Sequence, residues 1–132
     1  MRQVEVEGPG EGLCLTGWPP QVSSRLHRKV GALSRHGGFH KKIGITNAPR
    51  TRWLRHYADG WRRMELIYRS DSHNHVCALE RQLVERFHLG VALGGYCHNQ
   101  VGGGGGRKPA TGPFYLYMLL GRRHARFAYA VR

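Results

Sequence analysis

Apolar and polar positions alternate from Phe39 to Thr46, with Phe39, Lys41, Ile43 and Ile45 on one side and His40, Lys42, Gly44 and Thr46 on the other. Period two is the mark of a strand with one buried face. The rhythm changes at Asn47-Ala48-Pro49, where a capping asparagine and an early proline predict a short helix over about 49–58. Arg52 and His56 lie four apart and share one side of it. Met64 to Arg69 reads as a second strand, and Ser70-Asp71-Ser72 leads into a helix over about 73–88. Val76, Leu79, Leu83 and Phe87 form its apolar stripe, with Glu80 flanking them.

The same reading extends to both sides of this stretch. Val22, Leu26, Val30 and Leu33 have helical spacing, so a helix is expected over about 21–36, with Ser23 or Ser24 as cap and Gly37-Gly38 as the stop. Its other side carries Arg25, Arg28, Lys29 and Arg35, either a solvated face or a phosphate-contacting one. Downstream, Phe114, Leu116, Met118 and Leu120 alternate with Tyr115, Tyr117 and Leu119, a strong strand over about 113–120. Residues 1–20 are punctuated by Gly8-Pro9-Gly10 and Trp18-Pro19-Pro20 and read as a strap across a domain formed by 21–132, whose core is 39–88. The pattern predicts an α+β fold: a small three-stranded antiparallel sheet flanked by helices.

Charge changes the picture most. Lys and Arg number 21 against 8 Asp and Glu, a formal +13, while the hydrophobic share of 40% is that of a folded protein. The excess belongs on a surface and attracts polyanions, because neutralising phosphates releases condensed counterions. Nucleic acid is the expected partner, and a ribosomal role is the plain competitor. Cys14, Cys77 and Cys97 are an odd number without framework spacing, which argues against a disulfide-stapled secreted domain and for an intracellular, reducing compartment. No apolar run approaches the length of a membrane span, and Met1 to Glu11 lacks the pattern of a signal peptide.

The series Lys42-Ile43-Gly44-Ile45-Thr46, Asn47, Pro49, Arg52, His56 and then Glu80 in Ala-Leu-Glu-Arg-Gln-Leu resembles the second half of the GIY-YIG nuclease motif. In that family the YIG strand is followed by a helix with an essential arginine and often a histidine one turn on. A single glutamate on a later helix binds the metal. The resemblance covers about 39–87, and it implies a metal-dependent endonuclease using Mg²⁺ or Mn²⁺ on DNA in preference to RNA. The chain departs from the family at two points: Lys42 stands where the YIG tyrosine would be, and no GIY strand lies just upstream. A C-terminal strand bearing Tyr115 and Tyr117 would fill that gap.

Phosphodiester cleavage needs an activated nucleophile, positive charge on the phosphate oxygens and help for the leaving oxygen. Arg52 suits bidentate phosphate binding, and His56 suits proton transfer near neutrality. Lys42, Tyr115 and Tyr117 are further candidates for that transfer, and the resemblance gives the metal to Glu80. Gly44, Thr46 and Asn47 are candidate contacts of the nucleic acid. So are Asn99, Arg107 and Lys108, which flank the glycine run Gly102 to Gly106. That run, within the loop 101–112, is a flexible excursion or a backbone-lined phosphate cradle.

Each candidate has a plainer reading. On it Arg52 is a solvated cation, Glu80 is half of a surface ion pair, and Thr46 and Asn47 are capping residues. A zinc site from His73, His75, Cys77 or Cys97-His98 is a minority alternative. The enzyme reading requires the Arg52 guanidinium and the Glu80 carboxylate to meet over one margin of the sheet. On opposite sides, they leave a nucleic-acid-binding module that keeps the scaffold without turnover.

Overall fold

A computed structural model describes residues 9–10, 14–36, 40–91 and 112–121. The elements run β1 (Leu15–Thr16), α1 (Pro19–His36), β2 (His40–Thr46), α2 (Pro49–Ala58), β3 (Arg63–Ser70), α3 (His73–Phe87), β4 (Gly90–Val91) and β5 (Phe114–Gly121). The α+β class is as expected, but the sheet is larger. It has five strands in the order β1-β3-β5-β2-β4. β5 runs antiparallel to both β2 and β3, while the two-residue outer strands β1 and β4 pair in parallel with β3 and β2. Strands so short carry no period that sequence reading can detect.

β5 occupies the centre although it comes last of the described elements. Its register sets Tyr117 opposite Gly44 and Leu66, and Tyr115 opposite Thr46 and Arg69. Alternation then sorts the core into two layers. Leu116, Met118 and Leu120 pack with Ile43, Ile45, the α1 residues Val22, Leu26 and Val30, and the α3 residues Val76, Leu79 and Leu83. Tyr117 and Leu119 pack with Met64, Leu66, Trp61 and Trp53 of α2. α2 therefore covers one face, and α1 with α3 covers the other. This corrects the expectation of one buried face for β2, where Ile43, Gly44, Ile45 and Thr46 are all buried.

Several ends also differ. α1 begins at Pro19, with both prolines in its first turn where their missing N–H groups cost nothing. Ser23 therefore lies inside α1, and its hydroxyl donates to Gln82 Oε1 at 3.1 Å. Ala48, not Asn47, is the N-cap residue of α2, and it contributes no side-chain bond. Thr46 Oγ1 accepts from the Ala48 N–H at 3.0 Å instead. The opening segment does more than strap the domain: Gly10 exchanges backbone bonds of 2.8 Å with Met64 and Leu66, and β1 extends the sheet. The Tyr68 hydroxyl donates to the Gly17 carbonyl and fixes the turn into α1. Cys77 is disulfide-bonded, where the cysteine count led to reduced thiols being expected. Among the described residues no helix is long and apolar enough to cross a membrane.

Candidate active site on the α2 face

α2 is amphipathic in an uneven way: Trp53 and His56 are its buried residues, and the rest of PRTRWLRHYA is half-buried or exposed, Leu54 included. Trp53 drives the helix onto the sheet, and its spacing brings His56 down one turn later on the same side. There the His56 Nε2 lies 2.8 Å from the Tyr117 hydroxyl, with ring centroids 5.5 Å apart. Gly44 is the cross-strand neighbour of Tyr117, so no β2 side chain competes for the space beside that ring.

Electrostatics fix the state of the imidazole. Burial lowers the His56 pKa from 6.5 to about 4; Arg52, Lys42 and Arg55 push in the same direction, and Asp59 opposes them. A neutral ring at pH 7 accepts the tyrosine proton at Nε2 when the other nitrogen carries its hydrogen. Arg52, one turn before His56, is half-buried. Lys42 stands on β2 with its ammonium 5.8 Å from the centroid of the Trp61 ring. An aromatic floor of Trp61, Trp53 and Tyr57, the last two edge to face at 5.6 Å, supports the cluster. Trp61 went unnoticed in the sequence because a lone tryptophan after a turn has no periodic partner.

The structure thus brings together Lys42, Arg52, His56 and Tyr117 on one face. Tyr115 shares that face, half-buried against the same cluster. Thr46 is buried and occupied with Ala48, and Asn47 is exposed. Asn99, Arg107, Lys108 and the glycine run lie outside the described residues.

Glu80 does not join the group. It sits on α3, the helix that covers the opposite face, and is 1% exposed. Neither carboxylate oxygen has a hydrogen-bond partner. Burial raises its pKa from 4.5 to about 7, and Arg81 is the cation that pulls it back. The expected meeting of Arg52 and Glu80 over one margin is therefore corrected: the intervening sheet assigns their helices to different layers. The sequence had no signal for this, since Glu80 lies within the apolar period of α3 and only the packing decides which layer that stripe enters.

Two buried acceptor oxygens without a donor among the described residues are what a hard cation would satisfy, but a lone carboxylate behind the sheet from Arg52 does not make the metal centre that the resemblance implies. It would have to be completed largely by water or phosphate, because no group of three His, Cys, Asp or Glu side chains gathers among the described residues. That also leaves the zinc alternative without support among those residues. His73 and Cys77 do approach, with the sulfur 3.7 Å from Nε2, but Cys77 is already engaged in its disulfide. Set beside known protein families, curated proteins and solved structures, the chain matches none.

Proposed function

We propose that the chain is a nucleic-acid-binding module on a GIY-YIG-like scaffold, taking DNA or RNA without metal-dependent turnover. The observation that carries this reading is the separation of Arg52, which stands with Lys42, His56 and Tyr117 on the α2 face, from Glu80 in the layer behind the sheet. Arg52 and Lys42 hold a phosphate of the strand. The 2.8 Å contact between Tyr117 and the neutral imidazole of His56 favours a second reading, a nuclease, in which a water attacks phosphorus as its proton passes to the Tyr117 oxygen and the tyrosine proton passes to His56 Nε2; the P–O ester bond breaks and the leaving oxygen takes a proton from solvent. Tyr115, open to solvent on the same face, is the alternative carrier of that first proton.

Incubating supercoiled plasmid with the protein and Mg²⁺ or Mn²⁺ separates the two. On the nuclease reading, Tyr117→Phe and His56→Ala each lower the cleavage rate by roughly 10²-fold or more, and Arg52→Ala by about as much. Salt-sensitive binding with no nicking by the unaltered protein would establish the module instead. Retention of full activity by Tyr117→Phe, Tyr115→Phe and the double variant would remove the tyrosines from the chemistry.

A further inference from the structure

We infer that the groove between α1 and α3, on the face of the sheet opposite Tyr117, is a second nucleic-acid surface that holds a single strand by its phosphates. The groove has a volume of about 1020 Å³. Arg28 and Arg35 line it from α1 and Arg86 from α3, and none of its lining residues is acidic. All three arginines are exposed and none takes part in the ion pair between Arg63 and Glu65, so their charge is available to a polyanion. Arg28 and Arg35 are seven apart, two turns along one side of α1, which spreads the cations along the groove instead of focusing them on one ion.

The walls suit a strand as well as its charge. Phe87 is half-buried, with the Arg86 guanidinium 5.6 Å from its centroid and the His27 ring 6.0 Å away. Aromatic rings beside cations are the usual platform for unpaired bases. His27, which lines the groove, keeps its Nε2 buried without a hydrogen-bond partner among the described residues. The floor is open because Gly31 lies in the middle of α1, and a Cβ there would meet the Phe87 ring only at 3.8 Å. Nothing in the packing requires that glycine, and its missing side chain leaves the ring accessible. An unpaired strand can lay its bases on Phe87, which the stacked bases of a duplex cannot do.

The groove does not depend on cleavage, so it is tested by binding alone. Fluorescence anisotropy with a labelled oligothymidine of roughly a dozen nucleotides, without added metal, compares three forms of the protein against the unaltered chain. Removing three phosphate contacts with Arg28→Ala, Arg35→Ala and Arg86→Ala should weaken binding roughly tenfold or more and lower the slope of log K against log salt by about 2. A control with Arg50→Ala, Arg62→Ala and Arg81→Ala removes equal charge outside the groove lining and should change binding far less. Gly31→Leu keeps the charge and favours the helix, yet should also weaken binding, with the salt slope unchanged. Equal losses from the two triple variants would reduce the effect to net charge and overturn the assignment. Unaltered binding by Gly31→Leu, with its thermal unfolding intact, would overturn it as well.

Discussion

At the scale of residues, two buried ionisable groups pull stability in opposite directions with pH. His56 titrates at about 4 in the folded chain, and an unfolded histidine titrates near 6.5, so the unfolded state takes up a proton first and stability falls as pH drops through that interval. Glu80 titrates at about 7 when folded and 4.5 as a model group, so the folded state holds the extra proton and stability falls as pH rises through its interval. Each displacement corresponds to about 3 kcal/mol at its limit. Between 4.5 and 6.5 the two slopes cancel, and the stability of the unaltered protein should vary little there on their account. Glu80→Gln removes one arm. Urea titrations should find this variant losing stability steadily below pH 6.5; a profile parallel to that of the unaltered protein would contradict the burial of one of the two groups.

At the scale of elements, local signals are strong where side chains repeat. The bounds of α2 agree with the sequence reading, and β2, β3, α3 and β5 each differ by only a residue or so at an end. Ser72 illustrates why. Its hydroxyl accepts from the His75 N–H at 3.2 Å, while Ser70 Oγ accepts from the Ser72 N–H at 2.9 Å, so the Ser-Asp-Ser stop is a capping device legible from residue type alone. Ser72→Ala should cost about 1 kcal/mol in chemical denaturation, whereas Asn47→Ala should be nearly neutral because Asn47 is exposed and is not the cap. Asn47 misled because a capping residue and a turn residue share the same chemistry, and only the backbone angles tell which position it takes. The irregularity in β3 between Leu66 and Tyr68 was equally invisible. It puts Leu66 in the α2 layer while both Ile67 and Tyr68 face the other, a shift no alternation rule predicts.

At the scale of the whole molecule, the tyrosines of the FYLY segment suggested that a late strand would lie beside β2, and the register of β5 agrees. What the sequence could not express was the layer into which each helix folds. Arg52 and Glu80 are 28 positions apart on two helices with a strand between them; whether they meet depends on the crossover from β3, which no residue in either helix encodes. Because β5 bonds to both β2 and β3, a chain ending at residue 111 should show no cooperative unfolding transition by calorimetry. A peptide spanning 112–121, added in excess, should restore part of it.

The order of synthesis gives that arrangement a further meaning. While the segment beyond Val91 is still being made, the strand that lies between β2 and β3 is missing, and their facing edges have nothing to close the sheet. Bare edges of that kind pair with any strand at hand, so the arrival of FYLYMLLG sets the moment at which the chain is safe from its neighbours.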